Sequence, residues 1–132
     1  MIVPDASAVV LLLLDSESEP RAERARQVLA CDPTWLVPEY WRVELVSAAR
    51  GLWLGKHLTN AQASAAVTAV AQMVTETVPT TLLLPRMWEL RSSLTAYDAG
   101  YVAAAELGAS TLVTADRRIS KAGVARCPVL VL

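Results

Sequence analysis

The sequence predicts an α/β protein, a three-layer α/β/α sandwich with a mainly parallel sheet. Short apolar strands alternate with helical segments along the chain, a pattern that favours a parallel sheet covered on both faces. The 132 residues carry no repeat, low-complexity stretch or linker, so a single domain over 1–132 is expected. A domain of this size buries roughly two-thirds of its unfolded surface, enough for one sizeable core.

The elements follow in order. Ile2 to Pro4 reads as a short strand ending at Asp5, and Ser7 is placed to cap a helix running to about Leu14. Pro20 opens a second helix to about Ala30, because proline suits a first turn. Thr34 to Val37 is a brief strand, after which Pro38 and Glu39 start a long helix that Gly55 stops. Thr59 and Gln62 have capping-box spacing and begin an Ala-rich helix to about Thr75. A strand at Glu76 to Val78 precedes a helix over about Leu83 to Arg91, with Pro85 near its first turn. Thr95 caps a helix ending at Gly108, Thr111 to Thr114 is the next strand, and Val129 to Leu132 the last.

Composition excludes several classes. The chain is 54% hydrophobic, with four Trp and no Phe, and its apolar excess points to a surface that another chain covers. We place that surface first along the early helices, including Val9 to Leu14. The run Ala8 to Leu14 is far shorter than the ~20 residues a membrane span needs. It also lacks the basic flank of a signal peptide, so a cytoplasmic protein is expected. Cys31 and Cys127 read as ordinary thiols, and the single histidine, His57, excludes multi-histidine metal sites. A net charge of −1 argues against indiscriminate nucleic-acid binding, although Arg117, Arg118, Lys121 and Arg126 cluster late in the chain.

Four acids interrupt apolar or small-residue contexts: Asp5, Glu44, Asp98 and Asp116. Burying an ionised carboxylate costs several kcal/mol unless a partner or cation compensates. Asp5 and Asp116 each follow a strand, which puts them on the carboxyl-end rim of the sheet, where ligands bind in such folds. At about 100° per residue, Glu44 lies at the margin of the stripe Trp41, Leu45, Ala48, Leu52. Asp98 shares a face with Tyr101, Val102 and Ala105 and sits in a first turn, where the helix dipole favours an anion. Singly, each acid has a plain structural reading as a strand-end cap, a solvated rim residue, a capping-box acid or a helix cap. Jointly, their convergence on one rim would make a divalent-metal site.

Three stretches carry a resemblance: Val3-Pro-Asp5-Ala-Ser7-Ala8, Pro38-Glu-Tyr-Trp-Arg-Val-Glu44, and the block from Leu94 through Tyr97-Asp98-Ala-Gly-Tyr101 to Leu112-Val-Thr-Ala-Asp116-Arg-Arg118. They resemble the PIN domain, specifically the VapC toxins of bacterial toxin-antitoxin pairs, over essentially the whole chain. The resemblance implies a Mg²⁺- or Mn²⁺-dependent endoribonuclease whose acids are matched by Asp5, Glu44, Asp98 and Asp116. It also implies a VapB-type antitoxin and a homodimer.

Within that reading Asp5 and Asp98 are direct metal ligands, and Glu44 and Asp116 complete the site directly or through water. Ser7 and Thr114, each two residues from an acid, would orient carboxylates or ligand waters. Arg91, Arg117 and Arg118 are candidates for RNA-backbone contact, since guanidinium groups bind phosphate with paired donors. Pro4 and Gly100 depart from the family pattern: one removes a backbone donor, and the other weakens a helix by about 1 kcal/mol unless close packing requires it. Alternatives are an RNA-maturation nuclease and an inactive PIN-like RNA-binding or scaffolding protein. A phosphotransfer domain is disfavoured because Ser7 stands where its second acid would be.

Overall fold

A computed structural model covers residues 1–132. Its strands are β1 (Ile2–Pro4), β2 (Leu36–Pro38), β3 (Glu76–Val78), β4 (Thr111–Thr114) and β5 (Val129–Val131). Its helices are α1 (Ala6–Val10), α2 (Arg21–Ala30), α3 (Trp41–Leu54), α4 (Asn60–Gln72), α5 (Thr80–Glu89), α6 (Ala96–Leu107) and α7 (Arg117–Ala122). All pairings are parallel: β1 with β4, β4 with β5, and β2 with β3. A single bridge, Ile2 to Trp35, joins the two groups, giving the order β3-β2-β1-β4-β5.

That order changes direction between β1 and β4. Right-handed crossovers put α1 to α4 on one face and α5 to α7 on the other, as the contacts of α1 with α3 and of α6 with α5, β1, β2 and β4 require. The three-layer parallel sandwich is therefore present as expected. The carboxyl ends of β1 and β4, at the reversal, bound the crevice in which such sheets take ligands.

Pro4 fits because of where its missing donor would point. The Ile2 amide donates to the Thr34 carbonyl on the β2 side, and the Asp5 amide donates to Val113 on the β4 side. Since strand amides alternate, the absent Pro4 donor faces the sparsely bridged β2 side and costs no β1–β4 bond. The Pro4 carbonyl accepts instead from the indole N–H of Trp41, 3.1 Å away in the core.

Helix α6 is buried nearly all round, from Ala99 to Ala105, between the sheet and α5. Its small side chains let it approach closely, and a Cβ on Gly108, its C-cap, would meet Leu36 at 2.4 Å. Arg86 of α5 donates from Nε and Nη2 to Glu106 of α6 and from Nη2 to the Val124 carbonyl, tying both helices to the segment before β5.

Several boundaries differ from expectation. Asp5, not Ser7, caps α1, and the helix tightens into a 3₁₀ turn at Leu11–Leu13 rather than running on to Leu14. Pro38 completes β2, so α3 starts three residues later than Pro38 suggested. Helix α5 begins at Thr80 and carries Pro85 inside it. The capping box at Thr59 and the Thr95 cap stand as read, but Asp98 takes the Thr95 hydroxyl rather than its amide, so no reciprocal box forms there. Within Val9 to Leu14, Val9 and Leu11 are core residues, whereas Val10 and Leu12 to Leu14 stay half-buried. Exposed apolar side chains instead cluster on α3 (Val43, Val46, Trp53, Leu54) and α5 (Leu82, Leu84, Trp88).

Candidate active site

Asp5 is 4% exposed. One carboxylate oxygen, Oδ1, accepts from the Ala8 amide at 2.8 Å and from Ser7 Oγ at 2.6 Å, while Oδ2 accepts a short hydrogen bond from Thr114 Oγ1. Both hydroxyls are themselves held: Ser7 Oγ accepts from the Ala115 amide and Thr114 Oγ1 from the Asp116 amide, each at 2.9 Å. The ends of β1 and β4 are thus laced together through one carboxylate. Burial pushes the Asp5 pKa up, the three donors oppose that, and the negative charge of Asp98 adds to the rise.

Glu44, in the first turn of α3, is half-buried and accepts a short hydrogen bond from the phenol of Tyr101 on α6. Its pKa is raised first by burial, then by Asp5 and Asp98, with the Tyr101 bond opposing. Asp98 is held by the cap residue of α6: Thr95 Oγ1 donates to Oδ2 at 2.8 Å and accepts from the Asp98 amide at 3.2 Å. Asp5 thus feels the negative charge of Asp98, and Glu44 that of both Asp5 and Asp98. No three acids converge tightly enough to cage an ion by themselves.

Asp116 differs. It caps α7, and its carboxylate is gripped by the Nε and Nη2 groups of Arg118 at 2.6 to 3.0 Å. That guanidinium holds its pKa below the ordinary value. Arg118 is 81% exposed on its side chain and also feels the charge of Asp98.

Of the other cations, Arg117 is exposed and lines a pocket with Arg21 and Arg24 beside the end of β5. Arg91 is tied to Trp88, its Nη1 donating to the Trp88 carbonyl at 2.7 Å and its guanidinium lying 4.6 Å from the indole centre.

Sequence reasoning missed the tyrosines. Tyr101 was legible only as a neighbour of Asp98 on one helix face, yet it anchors Glu44 from a different helix. Tyr40 donates to the Tyr97 carbonyl at 2.9 Å, and its ring stands edge-on to Tyr97 and Tyr101, with centroids at 5.4 and 5.7 Å. Gly100 is explained by this packing, since a Cβ there would lie 2.0 Å from the Tyr40 hydroxyl oxygen.

Comparison with known proteins decides the family. The PIN-domain family model matches residues 2–125. A VapC ribonuclease of Mycobacterium bovis and ribonuclease VapC9 of Mycobacterium tuberculosis are each 38% identical over 132 residues, covering 100% of this chain and 98% of the relative. The chain belongs to the PIN-domain family of VapC ribonucleases. Ribonuclease VapC3 of M. tuberculosis is 31% identical over 121 residues, 92% of this chain and 86% of the relative. The crystal structure of M. tuberculosis VapC20, a toxin that cleaves the sarcin-ricin loop, superposes with a TM-score of 0.69 over 97% of this chain and 100% of that one. At 20% identity that likeness speaks for the shared VapC fold alone. No helix is long and apolar enough to cross a membrane.

Proposed function

We propose that this VapC-type endoribonuclease toxin hydrolyses RNA phosphodiesters with Mg²⁺ or Mn²⁺ at the rim formed by Asp5, Glu44, Asp98 and Asp116. One nuclease domain spans residues 1–132, with a VapB-type antitoxin and a second copy of the chain as protein partners, in the cytoplasm. The observation that carries the assignment of the site is the placement of Asp5, held at the end of β1 by Ser7 and Thr114, at the sheet reversal, where Asp98 raises its pKa and Asp5 and Asp98 together raise that of Glu44.

The residues suit a hard divalent cation. Carboxylate oxygens are its preferred donors, and Mg²⁺ is held by a few carboxylates while keeping waters and taking phosphate oxygens, so an all-protein cage is not required. When bound, such an ion neutralises charge building on the phosphate and lowers the pKa of a water. Asp5 Oδ1 already accepts two hydrogen bonds and Oδ2 only one, which leaves Oδ2 with a free lone pair for a ligand. Ser7 and Thr114 fix the plane of that carboxylate, Tyr101 fixes Glu44, and Thr95 fixes Asp98. Asp116 joins once Arg118 lets go, and the released guanidinium is then free for a phosphate oxygen. Arg117, with Arg21 and Arg24 beside it, offers further backbone contacts on the same rim. Arg91, engaged with Trp88, is a weaker candidate.

Exposed apolar side chains on α3 and α5 provide surface for the antitoxin and for dimerisation.

The test is RNA cleavage by purified, antitoxin-free protein with Mg²⁺ or Mn²⁺ and with EDTA, beside Asp5→Asn and Asp98→Asn, which keep shape and remove charge. We expect metal-dependent cutting that falls by more than about 100-fold in both variants, since even groups that only orient a ligand cost 10- to 100-fold. Activity surviving both substitutions would place the site elsewhere; metal binding without cutting of any RNA would favour an inactive PIN-like binding protein.

A further inference from the structure

Beside the acidic rim a groove of about 600 Å³ opens between α1, the first half of α3 and the start of α6. Ser7 and Glu44 line it from the rim side, and Val10, Tyr40, Ser47 and Tyr97 continue it outward. Its size falls in the range of small-molecule sites. Tyr97, directly before Asp98, remains 57% exposed there although burial of so large a ring would stabilise the fold. Tyr40 behind it is fixed by its hydrogen bond to the Tyr97 carbonyl and by two edge-to-face contacts. Gly100 makes room for that ring, so the wall is kept at the expense of a glycine inside a helix.

We propose that this groove is a nucleobase subsite: a base flanking the scissile phosphate leaves its stack and packs on Tyr97, with Tyr40 as a rigid support. The inference rests on the ribonuclease reading above and deepens it. The groove is lined by one acid, Glu44, and by no Lys or Arg, which disfavours a phosphate and tolerates a neutral base. Continuity with the acids brings an occupant of the groove within one nucleotide's reach of the rim. The Ser47 hydroxyl, exposed and without a protein partner, is free for the polar edge of the base. Single-stranded RNA is commonly held in this way, because every base presents a π-face to an aromatic ring.

The experiment uses single-stranded oligoribonucleotides carrying the fluorescent base 2-aminopurine, titrated with the full chain in EDTA so that nothing is cut. Stacking on an aromatic ring quenches this base. Wild type and Tyr97→Phe are expected to quench it, whereas Tyr97→Ala and Tyr97→Leu lose the quenching and bind about 5- to 100-fold more weakly, the range that loss of one stacked base implies. In a parallel arm, total bacterial RNA is cut in Mn²⁺ and the product ends are sequenced. Any base preference beside the cut seen with wild type and Tyr97→Phe is expected to flatten in Tyr97→Ala.

Equal quenching and affinity for wild type and Tyr97→Ala would overturn the subsite, as would an absence of quenching by wild type. Full affinity of Tyr97→Leu would overturn it too, by showing that any apolar group suffices, as for a protein segment lying in the groove. Wild type that quenches yet cuts no RNA would sink the ribonuclease reading and leave the base subsite standing.

Discussion

Asp5 and Asp116 end neighbouring parallel strands and both cap a helix, yet the chain treats them in opposite ways. Asp5 is buried and restrained by neutral donors, two hydroxyls and an amide. Asp116 lies nearer solvent and is restrained by an exposed cation two residues away. A hydroxyl network fixes a carboxylate without cancelling its charge, so the cost of burial remains, which the proposed metal would offset. An arginine cancels the charge and must be displaced. In the proposed site one end is thus preorganised, and the other is held in reserve.

The largest effect that sharpens this contrast is expected at Thr114, which is fully buried and serves both ends, donating to Asp5 and accepting from the Asp116 amide. Thr114→Val keeps the shape and leaves both partners unsatisfied, at about 1–3 kcal/mol of stability. Mn²⁺ affinity and RNA cleavage should fall by about 10- to 100-fold. Thr114→Ser, which keeps the hydroxyl, should retain most of both. Denaturant melts and Mn²⁺ titration calorimetry read the two effects separately. Equal losses in Val and Ser variants would mean that packing, not the hydroxyl, matters.

Next in size is a difference in sign with pH, measured on metal-free protein in EDTA. Asp5 and Glu44 have folded pKa values raised by burial and by neighbouring acids. The folded state then holds protons more tightly than the unfolded chain. Their contribution is complete below the ordinary carboxyl range and is lost as pH rises through the raised values. Asp116 has a lowered folded pKa, so its contribution is present above the ordinary value and is lost as pH falls through the lowered one. Asp5→Asn should therefore remove part of the loss in Tm seen as pH rises through the weakly acidic range. Asp116→Asn should remove part of the loss at the acid end. Mg²⁺ should raise the Tm of wild type near neutrality and do so less for Asp5→Asn, because an ion that binds only the folded site stabilises it by mass action. Matching pH profiles in the two variants would dissolve the distinction.

How much of this was legible in the sequence follows from the range of the interactions. Alternation of strands and helices, the Thr59 box, the Thr95 cap and the strand-end placement of Asp5 and Asp116 are local patterns, and they stand in the structure. The α1 cap was misread because Asp5 and Ser7 are both good cap residues two apart. Tertiary context decided between them: Ser7 Oγ receives the amide of Ala115, just past β4, so its proton goes to Asp5 and the aspartate takes the Ala8 amide. Pro38 read as a helix opener because proline suits both a first turn and a strand end, and pairing with Val78 of β3 settled it. Tyr101 to Glu44 and Tyr40 to Gly100 join separate helices, and no spacing rule connects residues 57 or 60 positions apart. Gly100 looked like a weakness in α6 for the same reason: the ring that needs the space lies far away in sequence.

The smallest expected effect is that of Arg118→Ala, and it tests whether the Asp116 end is a reserve or a support. Arg118 is almost wholly exposed, and pairing between exposed side chains contributes little because water and salt already screen it. The Asp116 carboxylate would still accept from the residue-118 amide, so α7 keeps its cap and Tm should not measurably change. If the guanidinium passes to an RNA phosphate during turnover, its loss should raise KM a few-fold while kcat holds. The slope of log affinity against log salt should then shrink by about one. A support role predicts the reverse: lower Tm, unchanged salt slope and a fall in kcat as Asp116 drifts. An arginine that merely neutralises Asp116 predicts a third pattern, tighter Mn²⁺ binding with no change in salt slope, because removing the competitor exposes the carboxylate without removing a phosphate contact.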